Sequence, residues 1–316
     1  MRERLRVHWF DDWHDDLDAA LGHLPEMDTC PTPLYRELIL RRSTVEKRTA
    51  LVTRGGDPVA VVGLRRDADH WVPVTSWVVP GVVFPVVENQ LVPVLMALRE
   101  PVIVTWWRQP EPPPTHDRIE VLETVATRRI ECRGDHETHW GKSKLMKSVR
   151  RARRRCEHMN VEVNRPGAAE WTIRNWGRRW APPGMEILPD TADRVAVAEY
   201  WEPRGRHFVI SLVDGDRIIA SAIVFAHGNH VVGMAFHRES SFDHLQVSTR
   251  LIDAVHQWAS ETGFEKLDIG GGHDYKRRWA PEEGEHHQFM VSTRLRRLEA
   301  ALRGALSRLT ASGTAD

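Results

Sequence analysis

Cysteine is scarce in this chain: three in 316 residues, Cys30, Cys132 and Cys156, far apart and with no CxxC spacing. That excludes a disulfide framework and leaves reduced, mostly buried thiols as the reading. An excess of charge of either sign is also missing, since 44 Lys and Arg balance 44 Asp and Glu. No global field then draws the protein to nucleic acid or to a membrane, and any such attraction must come from a local patch. The opening stretch MRERLRVHWFDDWHDD lacks the apolar centre of a signal peptide. No segment approaches the roughly 18 apolar residues of a membrane span. A cytoplasmic protein without a membrane partner is expected.

A 41% hydrophobic content is enough for a real core, and the length suits two domains or one large one. The clearest organisational signal is an internal repeat. Residues 49–74 align without gaps on residues 208–233, pairing Gly56 with Gly215, Asp57 with Asp216 and Val59 with Ile218. Each copy reads as a three-stranded meander with Gly and Asp in its tight turns. Each is followed by a helix-length segment, 86–99 or 247–259, and then a short apolar strand, 102–106 or 266–270. The expected class is α/β or α+β: two lobes, each a mixed sheet flanked by helices. The expected domains are 1–134 and 135–290, with a helix and tail over 291–316. In that last segment leucine recurs at 295, 298, 302, 306 and 309, a helical stripe that packs on the body or makes a dimer contact. Monomer and homodimer both stay open.

Between the lobes lies KSKLMKSVRRARRRC, residues 142–156, in which eight of the first fourteen residues are Lys or Arg and none is acidic. Leu145, Val149, Ala152 and Cys156 fall at helical spacing, so the segment reads as an amphipathic helix with a positive outer face. Like charges at i and i+4 repel, and a phosphate-rich ligand would offset that repulsion. Cys156, on the apolar stripe, is a poor nucleophile because burial raises a thiol's pKa. The histidines at 136, 139, 286 and 287 have neither a cysteine pair nor an HExxH pattern beside them, so no metal is expected. Thirteen tryptophans are many for this length; core packing is the default, with a stacking surface as the alternative.

The segment DIGGGHDYKRRW, 268–279, ends a short apolar strand with three glycines and then offers an acid, a tyrosine and a lysine. Glycines permit a sharp turn or a close approach to a ligand. Lys276 can stabilise a developing oxyanion, and Asp268, His273 and Asp274 can accept a proton from an attacking amine.

The succession KSVRRARRRCEHMNVEV, GDRIIASAIVFAHGNHV, LIDAVHQWASETGFEKLDIGGGHDYKRRW resembles GNAT-fold acyltransferases of the CelD-like type over about residues 135–290. It also resembles the FemAB-type aminoacyl transferases, tandem GNAT-fold proteins with an aromatic-Lys pair and a further aromatic near the site. Tyr275, Lys276 and Trp279 stand there in this chain. The resemblance implies transfer of an activated acyl group to an amine. In GNAT enzymes the donor is acyl-CoA, its pyrophosphate held at a helix N-terminus by a Gln/Arg-x-x-Gly-x-Gly/Ala loop. This chain has QVSTRL at that point: Gln246 fits, while Thr249 and Leu251 replace small residues. Ser248 or Thr249 can cap the helix and Arg250 can meet a phosphate.

FemAB-type enzymes take the acyl group from aminoacyl-tRNA, and the basic helix with Lys144, Arg150, Arg151 and Arg154 suits that donor. The expected activity is N-acyl transfer to a small-molecule or peptide-like amine, with acyl-CoA preferred as donor and aminoacyl-tRNA as the alternative. A non-catalytic RNA- or protein-binding descendant is a second alternative. Tyr275 is counted with the catalytic set, and Trp180 and Trp279 with the acceptor pocket.

Overall fold

The computed structural model describes residues 3–41, 45–81, 83–106, 114–134, 139, 144–271, 274–280 and 282–291. It divides into two compact units: Met1–Thr124 with His287–Asp316, and Val125–His286. The leucine stripe of the C-terminal segment lies outside the described residues.

The first unit runs β1 (Leu5–Phe10), α1 (Asp15–Leu21), α2 (Thr32–Leu40), β2 (Lys47–Arg54), β3 (Asp57–Asp67), β4 (His70–Pro73), α3 (Leu91–Leu98) and β5 (Ile103–Trp106). Strands β1 to β4 form an antiparallel sheet in chain order. A parallel bridge then joins Trp71 to Val102, just ahead of β5. Apolar side chains at alternate or continuous positions bury against the helices; Ala50, Val52, Val61 and Leu64 are fully enclosed. Each fully buried Val or Leu contributes about 1.5–3 kcal/mol. Tyr35, also enclosed, donates from its hydroxyl to Val61 O and accepts from Gly63 N, so its polar end is satisfied within the core.

The second unit repeats this order. After the basic helix α4 (Lys144–Arg155) come β7 (Asn160–Val163), α5 (Ala168–Trp180), α6 (Thr191–Trp201), β8 (His207–Asp214), β9 (Arg217–His227), β10 (His230–Arg238), α7 (Val247–Glu261) and β11 (Lys266–Gly271). The sheet order here is β6–β11–β10–β9–β8–β7, where β6 (Ile119–Glu131) contributes from Val125 onward. Among these described strands only β10 and β11 pair in parallel.

Alternation along the strands makes two cores. Ile210, Leu212, Ala222 and Val224 face α4 and α7, whereas Val209 and Ile223 face α5 and α6. The apolar stripe of α4 packs as expected, with Val149, Ala152 and Cys156 buried.

The repeat is thus a repeat of fold, but its register is one residue away from the gapless sequence match. The β2–β3 pairs Val52↔Ala60 and Arg54↔Asp57 correspond to Leu212↔Ala220 and Asp214↔Arg217. Asp67↔His70 likewise corresponds to His227↔His230. Equivalent residues lie 160 apart, not 159. Sequence matching favours the two Gly-Asp dipeptides, yet the hairpin loops are Gly55-Gly56 and Gly215-Asp216. Gly55 and Gly56, both at positive φ, fill the first.

Among the described residues no helix is long and apolar enough to cross a membrane.

Candidate active site

Strands β10 and β11 stay paired for three residues only, His230↔Lys266, Val231↔Leu267 and Val232↔Asp268. Beyond Val232, β10 continues to Arg238 on its β9 side, with a bulge between Gly233 and Ala235. Its other edge parts from β11. A wedge between parallel strands exposes backbone groups that would otherwise be paired, which suits the recognition of a substrate.

A cavity of about 310 Å³ occupies this wedge. From β10 it is lined by Phe236, His237 and Arg238, from the first turns of α7 by Ser248, Leu251 and Ile252, and from α5 by Arg179. Tyr275 and Arg278 close it from the short 3₁₀ helix Asp274–Arg278. Neighbouring strand residues point to opposite faces. Phe236 accordingly packs into the core beneath α7, while the His237 ring meets the edge of Trp171 on α5 at 5.3 Å. The cavity is therefore lined from both faces of the sheet.

His237 Nδ1 is buried and finds no hydrogen-bond partner among the described residues. Burial lowers the imidazole pKa, and the nearby Arg179 and Arg238 guanidiniums lower it further against a smaller pull from Glu239. The ring is neutral at pH 7 and able to accept a proton. Tyr275 is 46% exposed, yet partial desolvation raises its phenol against Arg179, Arg238 and Arg278, so it stays a proton donor at neutral pH. Arg238 is occupied by Asp243, whose carboxylate lies 2.6 and 2.8 Å from Nε and Nη2.

The residues expected from sequence fall into different places. Lys276 Nζ donates to Ile269 O at 2.6 Å and Gly271 O at 3.3 Å, bracing the turn with its charge on backbone carbonyls. Asp268 is buried; its Oδ1 accepts from Gly270 N at 2.7 Å and its Oδ2 lies 3.5 Å from Arg129 Nε. Two of the three glycines are explained by the backbone: Gly270 takes φ 74°, and a Cβ on Gly271 would collide with Ala126 O, while Gly272 lies outside the described residues. A ligand is not what Gly271 approaches.

His273 lies outside the described residues, as do the side chains of Lys144 and Asp274. His136 lies outside them too, and the His139 ring stacks on His256 at 4.3 Å. Among the described residues no three His, Cys, Asp or Glu side chains are grouped to hold a metal ion.

The donor-binding set is corrected at its helix cap. Gln246, at φ 64°, is the N-cap of α7 and no side chain caps it. Thr249 instead is buried in the first turn and its Oγ1 accepts from Arg278 Nη2 at 3.2 Å. Arg250 pairs with the fully buried Asp253 at 3.0 Å, which it shares with Arg153 of α4. Arg150, Arg151 and Arg154 are exposed on α4.

Of the two tryptophans placed at the acceptor pocket, Trp180 is exposed beside Arg179, whereas Trp279 is buried in the core under α7. The apolar environment claims that ring for packing. His237, Arg238 and Arg179 were missed because no motif marks them; only the extra length of β10 past its partner distinguishes the first two.

The segment that builds this wedge, residues 143–280, matches the family described as the acetyltransferase (GNAT) domain. Residues 143–280 thus resemble a GNAT acetyltransferase domain. The chain is accordingly an acyltransferase, with the mixed α/β architecture expected of it. No curated protein sequence matches the chain.

Solved structures similar to this chain include FemX, at 11% identity over 89% of this chain and 96% of that one, with TM-score 0.46. A tandem GNAT protein from the clavulanic acid biosynthesis pathway is similar at 11% identity over 92% and 98%, TM-score 0.46. So is the C-terminal domain of a putative lysylphosphatidylglycerol synthetase from Agrobacterium fabrum, at 13% identity over 88% and 94%, TM-score 0.48.

Proposed function

We propose that the GNAT domain transfers an acyl group from acyl-CoA to the amine of a small-molecule or peptide-like acceptor in the wedge between β10 and β11. The observation that carries this reading is a single cavity reached from both sheet faces, with the N-terminal turn of α7 on one and the neutral His237 on the other. The α7 terminus suits the phosphates of the donor. Thr249 and Leu251, the two bulky departures from the family loop, are buried, which leaves the terminus to Ser248. Arg278 stands beside it.

In the proposed reaction the acceptor nitrogen attacks the thioester carbonyl carbon. A C–N bond forms, the C–S bond breaks, and the thiolate leaves. His237 takes the proton released by the amine, and the Tyr275 hydroxyl supplies one to the thiolate. Backbone N–H groups along the freed edge of β10 are suited to hold the oxyanion. No covalent enzyme intermediate is needed.

Aminoacyl-tRNA is the second reading for the donor. Its support is the exposed row Lys147, Arg150, Arg151 and Arg154, none of which makes a salt bridge among the described residues. Calorimetric titration with acetyl-CoA and with bulk charged tRNA at two salt concentrations separates the donors. We expect micromolar acetyl-CoA binding, with acetyl transfer to an amine detected by mass spectrometry. Silence with acetyl-CoA beside salt-dependent tRNA binding would transfer the reading to tRNA.

A further inference from the structure

The charge lining the wedge is one-sided. Three guanidiniums reach it, from Arg179, Arg238 and Arg278, and among the described residues no acidic side chain lines it. Asp243 neutralises Arg238. Arg278 leans on Thr249 Oγ1 in the first turn of α7, on the face where the donor phosphates belong. Arg179 is different. It comes from the last turn of α5, on the His237 face of the sheet. Among the described residues it makes no salt bridge, only a contact over the Trp180 ring at 5.5 Å. Its charge is nonetheless close enough to bear on both His237 and Tyr275.

An amine in water is a cation, and a positively lined cavity repels it. Such a cavity suits an amine that brings its own negative group. The guanidinium fork binds carboxylate and phosphate alike, often through two parallel hydrogen bonds. We infer that the acceptor is an amine carrying a carboxylate or phosphate, that Arg179 holds this anion, and that the amine is thereby presented to His237. The inference rests on the acyl-transfer reading above and narrows its acceptor class. Exposed Trp180, beside Arg179, offers an apolar flank to whatever joins the amine to the anion.

Two matched pairs of probes test it: glycyl-phenylalanine against its amide, and phosphoethanolamine against ethanolamine. Each pair shares an amine and differs in the anion. Calorimetric binding to the full chain is measured alongside acetyl transfer from acetyl-CoA. The expected result is that the anionic member of one pair binds, and shows a KM, about tenfold lower than its partner. The pair that responds identifies the anion as carboxylate or phosphate. Arg179→Gln, at an exposed position, should cancel that preference while leaving the thermal midpoint and the acetyl-CoA affinity unchanged.

Equal binding within both pairs overturns the inference, as does a preference that survives Arg179→Gln, or binding of no probe up to about 10 mM. Loss of acetyl-CoA affinity in Arg179→Gln would likewise overturn it by assigning Arg179 to the donor. Preferential binding without any acetyl transfer would instead count against the acyl-CoA reading and leave the anion site standing.

Discussion

A histidine that accepts a proton from an amine has to be neutral before the substrate arrives, and His237 is kept so by burial and by Arg179 and Arg238. The sign of the pH dependence follows. The base form dominates above the folded pKa, which lies below the ordinary 6.5. The limb that His237 contributes should therefore lie below pH 6.5, where activity rises as the ring loses its proton. Trp171, Arg179, Arg238 and Glu239 are the groups that face or act on this ring. His237→Gln should lower kcat at pH 7 by about 10²-fold or more and remove the acid limb, measured as a kcat/KM profile from pH 5 to 8. A purely structural histidine would leave the limb in place. Lys276 presents the opposite case at the same scale. Its ammonium is committed to Ile269 O and Gly271 O, so its first effect is on the geometry of the turn that carries Tyr275 and Arg278.

At the level of elements, the basic helix α4 divides its cations between two tasks. Arg153 lays two nitrogens on Asp253 of α7 at 2.8 and 3.0 Å, and Arg250 adds a third contact at 3.0 Å. Asp253 is wholly enclosed, so its removal strands two partly buried guanidiniums. Asp253→Ala should destabilise the fold by about 3–5 kcal/mol, read from denaturant unfolding. The combined Arg150→Gln, Arg151→Gln and Arg154→Gln change, all exposed, should cost under about 0.5 kcal/mol per site. Composition and periodicity identified this helix and its buried stripe. They could not say which arginine turns inward, because that depends on an aspartate 100 residues away. The meanders were legible for the same local reason: alternating apolar residues and glycine turns are short-range signals. Their register was not, since the gapless match follows the two Gly-Asp dipeptides, which sit at different positions of the two hairpin loops. The wedge was the least legible feature. Its lining comes from four separate stretches, and the divergence of β10 from β11 is a property of pairing that neither strand carries by itself.

Across the whole molecule, the same order of strand, two helices, meander, helix and strand occurs twice, yet the two copies differ where the chemistry would be. In the second, β10 runs five residues past Gly233 to Arg238. In the first, the equivalent strand β4 ends at Pro73, and the chain turns back at once, with Ser76 N bonded to Pro73 O and Val78 N to Thr75 O. The residue 160 positions before His237 is Trp77, and before Arg238 it is Val78, so neither the proton acceptor nor the guanidinium is repeated. The helix that follows also differs: α3 spans eight residues, Leu91–Leu98, against fifteen for α7. A duplicated fold with two working clefts would bind two donors. This one should bind one: calorimetric titration with acetyl-CoA should saturate near one equivalent per chain, and mass spectrometry should find no transfer beyond the residual rate in His237→Gln. A stoichiometry near two, or a second phase of transfer that His237→Gln leaves untouched, would mean that the first unit has kept a cleft of its own.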